Sequence, residues 1–252
     1  MVKRHQAILE LLDKDNYISV SHLSELLKVS AVTIRKDLKL LEDKGLVYRT
    51  HGGASIQNPY INDRHVSEKE KLNVSEKEAI AKAAAELITV NDSIMIASGT
   101  TMQYLAIAIS IDGPINVTTS SLNVALELTK SSQYSILQLG GNVRHSSFSV
   151  TGHFSHAILE NISCKLLFLG ADGIDVNHGC TTTSLEEAML NKKMMGSAQK
   201  VIVLADSSKF NRKGFGKICM LSEVDLIITD SGLNKNIQQD ILDAGVELHI
   251  AQ

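Results

Sequence analysis

The sequence has few cysteines, only two prolines and no long apolar run. Its three cysteines lie far apart, which argues against a disulfide framework or a zinc knuckle and predicts buried, reduced thiols. No stretch approaches the roughly 18 apolar residues of a membrane span. The amino-terminal residues MVKRHQAILELL form a mixed-charge amphipathic pattern without a signal-peptide cleavage region. We therefore expect a cytoplasmic protein with no membrane partner.

Patterns for nucleotide and metal binding are also missing. The sequence contains neither G-x-x-x-x-G-K-[ST] nor G-x-G-x-x-G, so the usual nucleotide loops are absent. His153 and His156 are spaced to share one helix face, but no further Cys or His pair completes a metal site. We expect no cofactor and no metal.

Charge is distributed unevenly along a chain whose formal net charge is -3. Residues 1–57 carry nine Lys and Arg against seven Asp and Glu, which leaves sixteen against twenty-one for the remainder. A local basic face on an acidic protein is compatible with nucleic-acid binding, because the phosphate field extends over about a Debye length, ~8–10 Å.

The first 57 residues predict three helices. An amphipathic helix is expected over residues 2–13, and a second helix begins with Ser19 or Ser21 as its N-cap. Ser30 is expected to cap a third helix, whose apolar positions repeat at i, i+4 and i+7. Two short helices joined by a tight turn form a helix-turn-helix whose second helix can enter a major groove.

The face of this third helix that points away from its apolar stripe carries cations and hydroxyl groups. Such a face is usually only solvated. Here Gly45 is expected to end the helix, LVYR has strand propensity and HGGA suits a hairpin turn, so a wing follows. Three helices and a wing within about 55 residues favour DNA binding. The predicted DNA-binding residues are Ser30, Val32, Thr33, Arg35, Lys36, Lys39, Arg49 and His51.

This region contains three motifs: R-x3-I-x3-L from Arg4 to Leu12, S-x2-T-I-R-K-D-L from Ser30 to Leu38 and R-x-H-G-G-A from Arg49 to Ala54. Together they resemble the DeoR family of bacterial transcriptional repressors. The resemblance implies a winged helix-turn-helix that binds double-stranded operator DNA, with DNA-facing roles for Thr33, Arg35 and Lys36. Asp37 is expected to be structural, holding Arg35 or a neighbouring backbone donor.

The remaining chain predicts a linker and a second domain. Residues 58–74 are polar and lack an apolar period, so the predicted division is 1–57, linker 58–74 and domain 75–252. Ser75 and Glu78 form a capping-box pattern at the start of a helix. Apolar strands then alternate with helices, which predicts an α/β fold with a mostly parallel sheet covered on both faces.

Ligands of such sheets bind beyond the carboxyl ends of the strands. The sequence SGTT follows one predicted strand and opens a helix, where backbone N–H groups and hydroxyls suit a phosphate. Carboxylates and a lysine at other strand ends suit a phosphorylated sugar. Ordinary capping is the alternative for SGTT, Asp172 and Asp206. The predicted effector-binding residues are Ser98, Gly99, Thr100, Thr101, Gly141, Arg144, Asp172, Glu187 and Lys209.

This half resembles the sensor domain of the same family, which implies a phosphorylated sugar or related metabolite as ligand. Ala97 and Ser120 replace an acidic residue and an amide of the family pattern, which leaves the identity of the sugar open. SGTT, ADGI and ADSSK more distantly resemble ribose-5-phosphate isomerase, and Glu187 corresponds to its catalytic glutamate. Leu169 stands where that enzyme has an aspartate, and GCTT at 179–182 replaces its lysine and glycine-rich loop. These departures disfavour catalysis.

We therefore expect a repressor of a carbohydrate-utilisation operon that a phosphorylated sugar releases from its operator. One winged helix makes too few contacts for tight specific binding, so a homodimer or homotetramer is expected. The alternatives are an isomerase-like enzyme and a helix-turn-helix used only for protein contacts. The latter predicts no salt-dependent affinity for DNA.

Overall fold

The computed structural model describes residues 3–15, 17–44, 46–50, 52–55 and 64–252. The chain divides into two compact units, Met1–Asn62 and Asp63–Gln252. No helix within the described part of the chain is long and apolar enough to cross a membrane.

The first unit is a winged helix-turn-helix. Its described elements are the helices Lys3–Asp15 (α1), Val20–Leu27 (α2) and Ala31–Asp43 (α3), and the strands Tyr17–Ser19 (β1), Tyr48–Thr50 (β2) and Gly53–Ser55 (β3). The strands pair antiparallel in the order β1-β3-β2. The predicted helices and wing are confirmed, whereas β1 was not predicted. Gly45 lies outside the described residues.

Local capping chemistry sets the starts of α2 and α3. Of the two candidates for α2, Ser19 is the N-cap, and its hydroxyl accepts the N–H of His22 at 3.1 Å. Ser30 caps α3 as predicted and accepts the N–H of Thr33 at 3.2 Å. The helices bury one apolar core, which includes Ile8, Leu12, Leu23, Ile34, Leu38 and Leu41.

A glycine permits the wing to close. A Cβ at Gly53 would lie 2.2 Å from the backbone oxygen of Ile18, well inside van der Waals contact. Only a residue without a side chain allows β3 to approach β1 this closely.

The second unit is an α/β domain. Its helices are Val66–Lys69 (α4), Val74–Ala85 (α5), Thr100–Ala108 (α6), Leu122–Leu128 (α7), His153–Leu159 (α8), Leu185–Met195 (α9) and Lys235–Asp243 (α10). Its strands are Ser93–Ile96 (β4), Ile115–Thr119 (β5), Tyr134–Gln138 (β6), Asn142–Arg144 (β7), Ser149–Thr151 (β8), Cys164–Gly170 (β9), Gly173–Asp175 (β10), Gly179–Thr182 (β11), Ala198–Leu204 (β12), Gly216–Cys219 (β13), Leu226–Asp230 (β14) and Glu247–Ala251 (β15).

Within residues 64–252, which are all described, seven parallel strands form the central sheet in the order β15-β14-β12-β9-β4-β5-β6. Alternate residues of β9 enter different cores: Leu167 and Leu169 pack on one face, Leu166 and Phe168 on the other. Both faces are therefore buried, which confirms the predicted parallel α/β architecture.

β4 is the first strand of this sheet in chain order, and the direction in which later strands are added reverses next to it. The chain adds β5 and β6 on one side of β4 and then returns to add β9, β12, β14 and β15 on the other. The β4 and β9 connections therefore leave the sheet in opposite directions, which opens a crevice beyond the carboxyl ends of these strands.

Two details at the start of this unit correct the sequence analysis. Residues 64–74 are not linker, because α4 packs within the unit and Val66 is 5% exposed. Asn73, in a left-handed conformation with φ of 49°, precedes α5. Ser75 instead donates to Glu76, so the predicted capping box with Glu78 does not form. A polar sequence with one buried apolar residue gave no periodic signal for this segment.

Candidate functional site

The exposed face of α3 is basic. Arg35, Lys36 and Lys39 are all exposed, and none of them forms an ion pair within the described part of the chain. Val32, at 60% exposure, lies on the same helix, and Thr33 shares a 3.0 Å hydrogen bond with Ser30. Cations without internal partners are available for phosphate oxygens or base edges.

Asp37 is the buried counterpart of this face. It is 4% exposed and accepts hydrogen bonds from Arg4 at 2.5 and 2.9 Å. His5 Nε2 lies 3.1 Å from the same carboxylate. The hydrogen bonds from Arg4 lower the pKa of Asp37, against the opposing effect of burial, and His5 lowers it further. The structural role is as predicted, but the partners are on α1, and Arg35 is not one of them.

The wing residues differ from the helix residues. Arg49 pairs with Glu42 of α3, with 3.3 Å between Nη1 and Oε2, and its N–H donates to the same carboxylate. Both side chains remain partly exposed, and such surface pairs contribute only about 0–1 kcal/mol. DNA phosphate can therefore compete for Arg49. His51, the other predicted wing contact, lies outside the described residues.

A cleft opens in the second unit at the carboxyl ends of β4 and β9. It contains about 610 Å³ of empty space, open mouth included. Its lining residues are Lys69, Ser98, Gly99, Thr100, Thr101, Met102, Ser147, Gly170, Ala171, Asp172, Thr182, Glu187, Asn191, Leu204, Ala205 and Lys209.

One wall of the cleft is the amino-terminal end of α6. Gly99 precedes the helix with φ of 131°, a conformation that L side chains rarely adopt, and no side chain caps the helix. The first N–H groups of a helix lack intrahelical partners, and the helix dipole favours an anion there. Lys209 lines the same cleft, with its Nζ 3.9 Å from Asp206. This wall suits a phosphate group.

A second wall carries two carboxylates. The Asp172 carboxylate forms an ion pair with the Lys69 ammonium at 2.9 Å and accepts a hydrogen bond from the Thr182 hydroxyl at 2.9 Å. Burial alone would raise the pKa of Asp172, but the charges of Lys69 and Lys209 and the hydrogen bonds outweigh it, so the pKa is lowered. Asp172 is therefore ionised at neutral pH. It is not a helix cap, because Ser184 caps the following helix, α9.

Glu187 on α9 is more completely engaged. Its carboxylate pairs with Arg144 at 2.9 Å and accepts the hydroxyls of Ser147 at 2.6 Å and Ser149 at 2.5 Å. Arg144 does not itself line the cleft and acts on it through Glu187. The other predicted residue outside the lining is Gly141. With φ of 146°, it lies where a Cβ would be 2.2 Å from the Thr151 backbone oxygen, so its role is the close approach of two chain segments.

Sequence analysis did not identify four polar residues of the cleft: Lys69, Ser147, Thr182 and Asn191. Asn191 is 6% exposed, and its side chain, which lines the cleft, has no hydrogen-bond partner within the part of the chain that the structure describes. Its spacing from Glu187 is one helical turn, which is the one sequence signal that places it on the same face of α9. Asp206, by contrast, accepts the N–H of Ser208 at 3.0 Å and has the predicted capping role.

The three cysteines are free thiols inside the protein. Cys164, Cys180 and Cys219 are buried as predicted, and Cys180 faces Cys219 across β11 and β13. Among the described residues, no group of three or more His, Cys, Asp or Glu side chains could hold a metal ion.

Comparisons with known families agree with this architecture. Residues 4–59 match the DeoR-like helix-turn-helix domain, and residues 72–231 match the DeoR C-terminal sensor domain. The chain is a transcriptional regulator of the helix-turn-helix class. It belongs to the DeoR family.

Relatives similar over nearly the whole chain have regulatory names. The chain is 35% identical to the HTH-type transcriptional regulator GlpR of Haloferax volcanii, over 97% of this chain and 95% of that protein. It is 33% identical to the HTH-type transcriptional regulator GolR of Listeria innocua, over 99% and 98%. It is 32% identical to the lactose phosphotransferase system repressor of Streptococcus mutans, over 94% and 95%.

Among solved structures, ribose 5-phosphate isomerase A from Neisseria gonorrhoeae is similar over 53% of this chain and 52% of that chain. The TM-score is 0.39 at 17% sequence identity. A likeness this weak carries no functional argument.

Proposed function

We propose that this chain represses a carbohydrate-utilisation operon and is released from its operator by a phosphorylated sugar or sugar derivative bound in the cleft. The observation that carries the proposal is the presence, in one chain, of a solvent-facing basic helix and a cleft suited to an anion. Both family matches support it, as does the name of the lactose phosphotransferase system repressor.

For DNA binding, we assign α3 to the major groove. Lys36 and Lys39 would neutralise phosphates, and Arg35 would reach a base edge or phosphate. Ser30, Val32 and Thr33 would complete the surface near the start of the helix, and the wing would contribute Arg49 and His51. The absence of internal ion pairs for the α3 cations, among the described residues, supports this assignment.

For the effector, we assign the phosphate to the α6 end and the sugar to the carboxylate wall. Ser98, Gly99, Thr100 and Thr101 would supply backbone and hydroxyl donors, with Lys209 adding charge. Asp172 and Asn191 would meet sugar hydroxyl groups. The Asn191 amide has no hydrogen-bond partner among the described residues, so a ligand that bonds to it gains a contact worth about 0.5–1.5 kcal/mol.

Assembly would connect the two functions. Paired winged helices in a homodimer or homotetramer would read two half-sites at a fixed spacing. The effector would favour an arrangement in which this spacing is wrong, and DNA would reciprocally weaken effector binding.

Glu187 supports a regulator over an isomerase. A general base must be within reach of the proton that it removes and must have a lone pair available for it. Here the Glu187 carboxylate pairs with Arg144 and accepts the hydroxyls of Ser147 and Ser149. We propose that it fixes the shape of the cleft and performs no catalysis.

DNA-binding measurements with the full chain test the proposal. Fluorescence anisotropy with DNA duplexes taken from the region upstream of the gene that encodes this chain should show salt-dependent binding. The double substitution Arg35→Ala and Lys36→Ala should abolish that binding. Lys14, exposed on α1, provides the control: Lys14→Ala removes the same charge as Lys36→Ala and should leave affinity nearly unchanged. Equal losses for Lys14→Ala and Lys36→Ala would reject the assigned face.

A further inference from the structure

Residues 64–73, called here the 64–73 segment, lie at the start of the second unit and follow the DNA-binding unit in the sequence. The N–H of Val66 donates to the backbone oxygen of Ser146 at 2.6 Å, and the His65 ring stands edge-on to the Phe148 ring at 5.4 Å. Ser147, between these two anchors, lines the cleft. The 64–73 segment is therefore fixed to a loop that forms part of the cleft.

The same segment places a cation in the cleft. Lys69 lines the cleft, and its Nζ lies 2.9 Å from Oδ1 of Asp172, with both side chains about one-quarter exposed. Oδ2 of that carboxylate is occupied by the Thr182 hydroxyl and the N–H of Thr183. Asp172 is the only anionic partner of Lys69 among the described residues. The ammonium group has three donors, so it can bind a second anion without leaving Asp172.

Two further contacts hold the backbone beyond Lys69. Lys77 is 2% exposed, and its Nζ donates to the backbone oxygens of Lys69 at 2.8 Å and Glu70 at 3.0 Å. Asn73 donates to Asp206 at 2.9 Å, in the loop that precedes Lys209. Backbone movement at Lys69 therefore disturbs hydrogen bonds on two sides of the cleft.

The cleft has donors without internal acceptors. The α6 end has no side-chain cap, and the buried Asn191 amide forms no hydrogen bond within the described part of the chain. A phosphate dianion that satisfies these donors adds negative charge to the cavity that Lys69 occupies. Attraction between opposite charges then holds the 64–73 segment more tightly to the cleft.

We propose that Lys69 binds the phosphate of the effector while retaining Asp172, and that this contact transmits occupancy of the cleft to the DNA-binding unit through the 64–73 segment. The inference rests on the proposed function and adds its regulatory element. Effector binding reduces local opening of the 64–73 segment, which follows the DNA-binding unit in the sequence.

Hydrogen exchange and calorimetry on the full chain test this proposal. The probes are inorganic phosphate, ribose 5-phosphate, fructose 1-phosphate and glucose 6-phosphate, with ribose, fructose and glucose as uncharged counterparts. A probe that binds the wild type should slow amide exchange in residues 64–73. Lys69→Gln should weaken its binding by about tenfold to hundredfold, the loss expected for a charge-assisted hydrogen bond, and should remove the exchange effect.

Matched variants separate this role from general damage. Lys71 is exposed and forms no ion pair with the described residues, so Lys71→Gln makes the same charge change two positions away and should behave as wild type. Lys69→Arg keeps the cation and should restore most of the affinity. Thermal unfolding without ligand shows whether Lys69→Gln is folded, and the conservative variant still tests the contact if it is not.

The outcomes distinguish this inference from the proposed function. If no phosphate-bearing probe binds the wild type, the effector function fails and the role of Lys69 with it. If a probe binds the wild type and Lys69→Gln equally, only the role of Lys69 is overturned. If exchange in residues 64–73 is unchanged by a probe that binds, transmission through this segment is overturned.

Discussion

Replacement of Asp37 by Asn tests how the DNA-binding face is held in place. Asp37 lies on the inner side of α3 and connects it to Arg4 and His5 of α1. Asn has nearly the same size but no charge and one acceptor oxygen fewer. The buried His5, at 5% exposure, then competes with Arg4 for a single neutral oxygen.

The expected loss follows from these contacts. Leaving a buried polar group poorly satisfied costs about 1–3 kcal/mol, and the partial exposure of Arg4 places Asp37→Asn in the lower part of that range, at about 1–2 kcal/mol. For a unit of this size the loss corresponds to a decrease in Tm of roughly 4–16 °C. Hydrogen exchange in α1 and α3 of the full chain measures it without separating the units.

The pH dependence has a defined sign. Because hydrogen bonds from Arg4 and His5 lower the pKa of Asp37 in the folded state, its contribution to stability is complete above the unfolded pKa and is lost as pH falls through the folded value. The stability difference between wild type and Asp37→Asn should therefore be present at neutral pH and disappear in acid.

The DNA affinity of Asp37→Asn can refute this reasoning, because the change in charge and the lost contact between α3 and α1 predict opposite changes in affinity. Asp37→Asn makes the unit more positive, which alone strengthens attraction to DNA. We expect weaker binding, since α3 loses its attachment to α1. Asp43, exposed at the carboxyl-terminal end of α3, supplies the control, and Asp43→Asn should bind DNA equally well or better. Unchanged stability and stronger DNA binding for Asp37→Asn would refute the reasoning.

Three other substitutions or modifications test the second unit. Asn191→Leu should lower affinity for a bound sugar phosphate severalfold in calorimetry while leaving the thermal stability of the free protein nearly unchanged, because the Asn191 side chain has no hydrogen-bond partner among the described residues; lost stability would contradict this. Gly99→Ala should cost about 1–3 kcal/mol in chemical unfolding, since φ of 131° strains an L residue, and a neutral effect would contradict the strain. Cys164, Cys180 and Cys219 should resist maleimide until the protein unfolds, because all three are buried; rapid labelling of the native protein would contradict this.

Much of the fold was predictable because its signals are local. The helix stripes of the first unit and the apolar strands of the central sheet each appear within about ten residues of sequence. The strand-end rule then located most of the cleft, including Gly99, Asp172 and Lys209. The strands β7, β8, β10, β11 and β13 were missed because each has only three or four residues and no long apolar run.

Contacts between distant residues were not predictable. Asp37 meets Arg4 across 33 positions, and Lys69 meets Asp172 across 103. Neither pair has a sequence spacing that indicates contact. The polar surroundings of Lys69 are typical of a linker, and its position in the cleft depends on the buried Val66 and Lys77 around it.

The most direct test of the whole account is the affinity of the full chain for DNA from the region upstream of its gene. This affinity is measured by anisotropy with and without a sugar phosphate that raises the thermal stability of the protein. The account predicts tight, salt-dependent binding that the sugar phosphate weakens and the uncharged sugar does not. An absence of DNA binding in dilute salt, or an affinity that a stabilising sugar phosphate leaves unchanged, would contradict it.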